Sequence, residues 1–215
     1  REIGIQPDIL VCRTEKPLSD EVKEKISLFC NVRKEAVIES RDVDSIYQVP
    51  LVFKAQILDE IILSHFNLIS KPSDLKDWEK NVVERLFSPK GTVQVAVVGK
   101  YIGLQDAYKS IYESIIHAGI SNQLRIEVKK IDSEDIEKHG AEKLLKGVDA
   151  LLVPGGFGGR GIEGKIKAIE FARKNKLPFL GLCLGMQCAV IEFARNLCGL
   201  KDDNSTEFKP KTKYP

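Results

Sequence analysis

Residues 177–187 read Leu177-Pro178-Phe179-Leu180-Gly181-Leu182-Cys183-Leu184-Gly185-Met186-Gln187. The apolar run predicts a short strand, and it is followed by a Gly-x-Cys-x-Gly turn and then a helical pattern. Gly181 and Gly185 remove the side chains that would crowd a sharp turn, which holds its central residue in a strained backbone conformation. The stretch therefore predicts a strand-to-helix elbow with Cys183 at its tip.

From Thr92 onward, strand and helix patterns alternate around this elbow. The pattern predicts strands at 93–98, 124–130, 150–153 and 179–182, and helices at 105–117, 141–146, 162–174 and 186–196. This alternation is typical of an α/β fold with an open, mostly parallel sheet and helices on both faces. Functional loops of such sheets follow the carboxyl ends of the strands, so we expect the loops at Gly99, Pro154 and Cys183 to lie close together.

The first 91 residues have a different pattern. It predicts strands at 8–13 and 36–39, and helices at 19–30, 51–66 and 78–86. Ser19 is placed to cap the first helix, on which Val22, Ile26 and Phe29 share one face. The break at 71–74 precedes the third helix, and 88–91 has the composition of the end of a linker.

Composition excludes several classes of function. The 215 residues include 33 Lys and Arg against 31 Asp and Glu, so a net charge of +2 predicts no broad nucleic-acid interface. No apolar run approaches the roughly 20 residues that cross a bilayer, and no signal peptide is evident, so we expect no membrane partner. The five cysteines lack metal or disulfide spacing, which favours a reducing cytoplasm. The chain starts at Arg1 and stops at Pro215, from which we expect a fragment of a longer protein.

Cys183 is the candidate nucleophile. Unpaired N–H groups at a helix start favour a thiolate, and the N–H of Leu184 is placed to stabilise an oxyanion. The alternative is a small buried cysteine in a tight turn, and the two flanking glycines favour catalysis over it. We interpret the other four cysteines, Cys12, Cys30, Cys188 and Cys198, as structural.

A second motif follows the strand at 150–153. Between Gly155 and Gly161, five of seven residues are glycine, and their accessible N–H groups suit an anion or an oxyanion. The loop lacks the Lys-Ser/Thr ending of a Walker loop, so phosphate binding alone is a weak interpretation. A flexible loop without chemistry is the bland alternative. Its pairing with the cysteine elbow favours an oxyanion loop.

The two loops together resemble those of the class I glutamine amidotransferases. Further segments resemble the CTP synthase family within that class, namely residues 3–8, 28–32, 42–47, 98–101, 106–110 and 204–208. That family joins an amidoligase domain, which makes CTP from UTP with ATP and ammonia, to a glutaminase domain. The resemblance implies that 1–70 is the C-terminal portion of a P-loop-type α/β amidoligase domain. It further implies a linker at 71–91 and, at 92–215, a glutaminase domain incomplete at its C-terminus.

The resemblance also implies roles for individual residues of the glutaminase part. Cys183 would be the nucleophile, with Gly156 and Leu184 as oxyanion donors. Glutamine would contact Gly156, Leu184, Gly185, Met186, Gln187 and Glu207, and the carboxylate of Glu207 suits the substrate's ammonium group. GTP, as allosteric activator, would act through Arg160, Gly161 and Glu163, although an Arg beside glycines is more often a solvated side chain.

In the amidoligase part, the resemblance implies ATP contacts from Arg13, Arg41, Asp42 and Val43, and a UTP or CTP phosphate contact from Lys25. Lys25 alone would be interpreted as a solvated charge on an amphipathic helix. The family's Mg²⁺ ligands and P-loop have no match here, so we expect both outside this chain. The resemblance implies a homotetramer of the full enzyme, whose small-molecule substrates are glutamine, UTP and ATP.

The sequence departs from the family in its catalytic base. His65, His117 and His139 all lack the His-x-Glu context, and we expect His117 to close a helix and His139 to lie in a turn. We therefore expect the base beyond Pro215 and an inactive isolated chain. Two alternatives stay open at this point: another class I glutaminase or γ-glutamyl hydrolase, and a nucleotide-binding remnant without turnover.

Overall fold

The computed structural model of the protein describes residues 3–104 and 106–213. It contains two compact units, Arg1–Phe87 and Ser88–Pro215. The predicted start of a helix at Gln105 lies outside the described residues, as do both ends of the chain.

The first unit contains two strands and a series of short helices. Its elements are β1 (Leu10–Thr14), α1 (Asp20–Cys30), β2 (Val37–Arg41), α2 (Val49–Lys54), α3 (Leu58–His65), α4 (Lys76–Trp78) and α5 (Glu84–Phe87), with 3₁₀ turns at Lys34–Ala36 and Ile46–Gln48 and a π-helical stretch at Glu79–Val83. Strands β1 and β2 pair in parallel, from Leu10 opposite Val37 to Thr14 opposite Arg41. A small core of Val32, Ala36, Ile38, Leu58 and Ile61 holds the unit together.

Helix α1 begins and ends where its sequence predicts. The hydroxyl of Ser19 accepts a hydrogen bond from the N–H of Val22, and Asn31 ends the helix in the left-handed conformation at φ 53°. None of the helix residues is buried, and Leu28 and Phe29 are 79% and 73% exposed. The apolar face of α1 therefore contributes little to the core of this unit.

The single helix predicted over 51–66 is wrong. The chain forms two helices there, separated by Ile57 in the left-handed conformation at φ 50°. The reason is Gln56, whose side chain pairs with the backbone of Glu39 in β2. Its Nε2 donates to the Glu39 carbonyl at 2.7 Å, and its Oε1 accepts from the Glu39 N–H at 2.8 Å. This long-range pairing takes the place of a continued helix.

The second unit is an α/β layer structure. Its elements are β3 (Gly91–Gly99), α6 (Lys109–Asn122), β4 (Leu124–Asp132), α7 (Ser133–His139), α8 (Ala141–Leu144), β5 (Ala150–Val153), α9 (Ile162–Lys174), β6 (Phe179–Gly181) and α10 (Leu184–Asn196). The strands are all parallel in the order β4-β3-β5-β6. The predicted open parallel sheet is confirmed. Right-handed crossovers place α6 on the face opposite α7 and α8, because the two connections step in opposite directions along the sheet.

Two helices differ from the sequence prediction. Helix α6 continues to Asn122, so His117 lies within it and does not close it. Helix α7 was not predicted, and it places His139 in a last helical turn. It begins because the carboxylate of Asp132 accepts a hydrogen bond from the N–H of Glu134 at 2.9 Å. An added Cβ at Gly164 would lie 1.8 Å from the Ser133 carbonyl oxygen, so glycine is required where α9 meets α7.

The strand order creates a crevice at the carboxyl ends of the two central strands, β3 and β5. The chain passes from β3 to β4 on one side and from β5 to β6 on the other, so the loops after β3 and β5 diverge. Ligand sites of open α/β sheets occur at such a switch point. Lys100 follows β3 and Pro154 follows β5, which places both at the crevice.

A buried ion pair joins α9 to α10. Glu192 has a side chain only 2% exposed, and it accepts hydrogen bonds from Arg173 at 2.7 and 3.1 Å and from Asn196 at 2.9 Å. Burial alone would raise the pKa of Glu192, but these hydrogen bonds outweigh it and lower the pKa. The pair therefore stabilises the fold above the ordinary carboxyl pKa, and this contribution is lost as the pH falls through the lowered value.

We expect Arg173→Met to lower the free energy of unfolding by about 3 kcal/mol at pH 7, because it leaves Glu192 buried and ionised without its partner. Urea denaturation measures the change. Lys174→Met is the matched control, since it removes only the exposed pair with Glu170 and should change stability by less than about 0.5 kcal/mol. Equal effects of the two substitutions would contradict the assignment.

Candidate active site

The elbow between β6 and α10 holds Cys183 in an unusual backbone conformation. Its φ of 52° and ψ of −108° lie outside the regions that non-glycine residues ordinarily adopt. Three backbone hydrogen bonds fix the turn: Leu182 N–H to the Val153 carbonyl at 2.9 Å, Gly185 N–H to Leu182 at 2.9 Å, and Met186 N–H to Cys183 at 3.0 Å. Cys183 is exposed, so the alternative of a buried structural cysteine is wrong.

The two glycines of the elbow are sterically required. A Cβ at Gly181 would lie 2.6 Å from the carbonyl carbon of Gly185. A Cβ at Gly185 would lie 2.0 Å from the carbonyl oxygen of Val153. The close approach of three backbone segments therefore explains the Gly-x-Cys-x-Gly pattern.

The glycine loop lies beside the elbow. A Cβ at Gly155 would be 3.5 Å from the Cβ of Cys183, and one at Gly156 would be 3.6 Å from the Leu184 side chain. Leu184 is the first residue of α10, where N–H groups have no acceptor within the helix. The backbone of the glycine loop thus lies close to Cys183 and to the first residue of α10, as an oxyanion site requires.

Lys100 and Glu207 hold the far end of the glycine loop. The Nζ of Lys100, which is 4% exposed, donates to the carbonyl oxygens of Phe157 and, at 2.9 Å, Gly158. Burial lowers the pKa of Lys100, and the neighbouring Arg160 lowers it further. Glu207 accepts a hydrogen bond from the Gly158 N–H at 3.0 Å. Lys100 was not predicted as a site residue from the sequence. Its position directly after β3 indicates that it lies near the site.

Lys165 supports the near end of the loop. It is fully buried in α9, and its Nζ lies 3.5 Å from the Pro154 carbonyl oxygen. Burial lowers the pKa of Lys165 to about 8, with a further lowering by Lys100 and opposing effects from Cys188 and Cys183. Sequence analysis missed this residue as well. The signal was its place on the apolar stripe of α9, between Ile162, Ile166 and Ile169.

Two family models match the chain. Residues 103–213 match the model described as Glutamine amidotransferase class-I, and residues 1–68 match the model described as CTP synthase N-terminus. A CTP synthase of Caldanaerobacter subterraneus subsp. tengcongensis is 57% identical over the whole chain, and one of Methanocaldococcus jannaschii is 53% identical.

The chain belongs to the CTP synthase family of class I glutamine amidotransferases.

The chain spans about 40% of the length of these relatives. A solved structure, described as the Trypanosoma brucei CTPS glutaminase domain with bound acivicin, is 43% identical with a TM-score of 0.54. The similarity covers 57% of this chain and 48% of that one. The class I amidotransferase fold of the second unit is thereby confirmed.

Five of the six glutamine contacts expected from CTP synthases lie along the first turns of α10 and the loop that follows it. Gln187 is half-buried, and its Oε1 is buried with no hydrogen-bond partner among the described residues. A groove of about 260 Å³ is lined by Met186, Gln187, Val190, Ile191 and residues 203–206. Four of the six expected contacts, 184–187, directly follow Cys183 in the chain; Glu207 follows the groove-lining residues and binds the Gly158 N–H, and Gly156 lies in the glycine loop.

The residues expected to respond to GTP in CTP synthases each have a partner within the chain. Arg160 donates to Glu134 at 2.8 Å and to the Lys100 carbonyl at 2.8 Å. Glu163 pairs with Arg195 at 3.0 Å. Gly161 has φ 72°, and a Cβ there would lie 2.1 Å from the Ser133 hydroxyl oxygen. Arg160 thus contacts the Lys100 backbone beside the glycine loop. It is therefore not a solvated side chain without protein contacts.

Three of the four expected ATP contacts meet at the carboxyl ends of β1 and β2. Arg13 and Asp42 form an ion pair at 2.9 Å, and Arg41 lies opposite Thr14 in the strand register. Val43 follows and is half-buried. Lys25 is exposed on α1, a separate element.

Among the described residues, the histidines lie in separate elements and no cluster of possible metal ligands is found. His65 lies 3.9 Å from Asp8 in the first unit, while the other two histidines lie in α6 and α7. Between residues 3 and 213, leaving out 105, no group of three His, Cys, Asp or Glu is placed to hold a metal ion. Over the same residues, no helix is both long and apolar enough to cross a membrane.

The other cysteines differ in exposure. Cys188 is fully buried in the core, where burial raises its pKa to about 11. Cys12 and Cys30 are half-buried. Cys198 is exposed, so its interpretation as a buried structural residue is wrong. It offers a natural control for the reactivity of Cys183.

We expect Lys165→Met to raise the free energy of unfolding at pH 7 by about 2–3 kcal/mol, because it removes a charge that is unfavourable in the core. The sign follows from the pKa, which is about 8 in the fold against the ordinary 10.5. The unfolded chain binds more protons between these values, so the stability of the unsubstituted chain rises across that window. The Met variant should lack this rise. Urea denaturation from pH 7 to 10.5 measures it, with the exposed Lys167→Met as control; a parallel pH profile for Lys165→Met would contradict the assignment.

Proposed function

We propose that this chain provides the nucleophile and oxyanion loop of the glutaminase in a CTP synthase, an enzyme that aminates UTP to CTP with ATP and ammonia from glutamine. One observation supports the glutaminase chemistry above others. An exposed cysteine in a strained elbow lies at the start of α10 and beside the glycine loop, with Gly155 next to Cys183 and Gly156 next to Leu184.

The proposed reaction begins with attack of the Cys183 sulfur on the side-chain carbonyl of glutamine. A carbon–sulfur bond forms, and the oxygen becomes an oxyanion that the N–H groups of Gly156 and Leu184 stabilise. The carbon–nitrogen bond then breaks, and the nitrogen leaves as ammonia after it gains a proton. Water hydrolyses the γ-glutamyl thioester to glutamate and restores the thiol.

Proton transfer in these steps needs a base, and none of the three histidines has the His-x-Glu context of the family's base. The three histidines lie in α3, α6 and α7, away from the elbow in the sequence and in the element order. We therefore propose that the isolated chain is inactive and that the base is contributed by the part of the enzyme that the relatives have in addition.

Recognition of glutamine is proposed for α10 and the loop at 203–207. Gln187 lines the groove together with Met186 and residues 203–206, which supports the contact expected of it. Glu207 already accepts the Gly158 N–H with one oxygen, and a carboxylate has further lone pairs for an ammonium group. This contact would couple substrate binding to the position of the glycine loop.

The amination half is proposed from the match of residues 1–68. Arg13, Arg41, Asp42 and Val43 would contact ATP, and Lys25 would reach a UTP or CTP phosphate. GTP would activate through Arg160, Gly161 and Glu163. Mg²⁺ would be held by ligands outside this chain. A cytoplasmic homotetramer is the proposed form of the full enzyme.

Labelling by acivicin tests the glutaminase assignment on this chain, since a related glutaminase domain is described with that compound bound. We expect one adduct, at Cys183, which excess L-glutamine suppresses. Cys198→Ser should be labelled as before, because Cys198 is exposed but lies outside the elbow. Cys183→Ser should not be labelled. Equal labelling of Cys198, or no protection by glutamine, would contradict the proposal, and peptide mass spectrometry distinguishes these results.

The amination is tested in the full-length enzyme. Cys183→Ala should abolish CTP formation from glutamine while ammonium chloride still supports it with UTP, ATP and Mg²⁺. The assay follows the absorbance change of UTP to CTP. Loss of both activities would assign Cys183 a structural role, and glutamine hydrolysis without any CTP would identify a different amidotransferase.

A further inference from the structure

Two buried lysines contact the carbonyl groups of the glycine loop from opposite ends. Lys100 donates to the carbonyls of Phe157 and Gly158. Lys165 lies 3.5 Å from the carbonyl of Pro154, which is itself buried at the end of β5. Lys100 is 4% exposed and Lys165 is not exposed at all. Lys100 belongs to the mouth of the site, whereas Lys165 reaches the loop from inside the core.

The position of Lys165 is not explained by packing. The titratable groups that act on it are Cys188 in α10, Cys183 in the elbow and Lys100 after β3, and none of them is a carboxylate. Four carboxylates on α9 and the neighbouring elements have other partners. They are Glu134 with Arg160, Glu137 with the Gly164 N–H, Glu163 with Arg195, and Glu192 with Arg173. An ammonium group without a counter-ion is unfavourable in an apolar core, so a methionine of similar length would pack better there.

The contact with Pro154 has a geometric consequence at the nucleophile. In a trans peptide, the carbonyl oxygen and the next N–H point in opposite directions. Holding the Pro154 carbonyl toward Lys165 therefore directs the Gly155 N–H away from Lys165. Gly155 is the loop residue that adjoins Cys183, since a Cβ added at Gly155 would lie 3.5 Å from the Cys183 Cβ, and the expected oxyanion donor Gly156 is the next residue.

The other end of the loop shows the same relation. Lys100 holds the Phe157 carbonyl, and the Gly158 N–H of that peptide points to the opposite side and donates to Glu207 at 3.0 Å. A buried lysine on one side of a loop peptide thus goes with an N–H directed to the opposite side, where Glu207 accepts it.

We propose that Lys165 is a positioning residue for the oxyanion loop: its ammonium, 3.5 Å from the Pro154 carbonyl oxygen, fixes the Pro154–Gly155 peptide, from which the chain continues directly to the oxyanion donor Gly156. This inference rests on the proposed glutaminase function, because the orientation matters only if an oxyanion forms there. The ammonium is a stronger donor than the neutral amine. Since the pKa of Lys165 is about 8, the positioning weakens as the pH rises above that value.

The test compares two electrophiles on the 215-residue chain. Iodoacetamide alkylates a thiolate without forming an oxyanion. A chloromethyl ketone analogue of glutamine adds the thiolate to a carbonyl first, so its reaction depends on the oxyanion site, and chloride leaves afterwards. The ratio of the two rates at Cys183, measured by peptide mass spectrometry from pH 7 to 10, isolates the contribution of the loop.

Two variants and a control separate positioning from folding. We expect Lys165→Met to lower the rate ratio at pH 7 about tenfold while iodoacetamide reacts within about twofold of the unsubstituted chain. Lys165→Gln retains an N–H donor, so it should restore part of the ratio. The ratio of the unsubstituted chain should fall above pH 8, and both variants should show no such fall. Lys167→Met, on the exposed face of α9, should behave as the unsubstituted chain.

Three outcomes would overturn the proposal. An unchanged ratio and pH profile in Lys165→Met would show that the loop does not depend on Lys165. A parallel loss with both electrophiles, in a variant whose urea denaturation shows it folded, would indicate a disturbed elbow in place of a mispositioned loop. If the ketone does not label the unsubstituted chain selectively at Cys183, or glutamine gives no protection, the proposed glutaminase function fails and this inference fails with it.

Discussion

The carbonyl group of Val153, at the last residue of β5, is the point on which the geometry of the second unit depends. It accepts a hydrogen bond from the Leu182 N–H at 2.9 Å, and the first turn of α10 approaches it so closely that Gly185 has no room for a Cβ. This approach fixes the elbow against the strand that leads into the glycine loop. Cys183 therefore lies beside Gly155 without any direct side-chain contact being needed to bring them together. A side chain at Gly185 would push the first turn of α10 away from β5, the strand that leads into the glycine loop.

The charged groups that contact the glycine loop are mainly buried lysines and not members of surface ion pairs. Lys100 and Lys165 carry lowered pKa values because they are buried, and both contact backbone carbonyl groups. Arg160 and Glu207 add contacts at the mouth of the loop. The loop is thus held by side chains from the ends of β3, from α9 and from the segment after α10. The glycine-rich backbone provides the N–H groups, and the contacts from these surrounding residues hold that backbone in place.

The sequence predicted those features that depend on local pattern. Strand β5 at 150–153 and helix α9 at 162–174 match their predicted bounds, and the Gly-x-Cys-x-Gly pattern predicted the elbow. The break at Ile57 was not predictable because it arises from Gln56 pairing with a strand 17 residues earlier. Lys165 was missed for a related reason, since a lysine on an amphipathic helix is ordinarily exposed. Its place among isoleucines on α9 becomes informative only when the neighbouring elements are known.

The central claim is that Cys183 forms a covalent bond with the side-chain carbonyl carbon of glutamine. The most direct measurement is acid quenching of the full-length enzyme during glutamine turnover, followed by mass spectrometry of its peptides. The account predicts a γ-glutamyl thioester on the peptide that contains Cys183, which disappears when the glutamine is exhausted. Glutamine turnover with an acyl group on another residue, or with none on any cysteine under conditions that preserve thioesters, would contradict it.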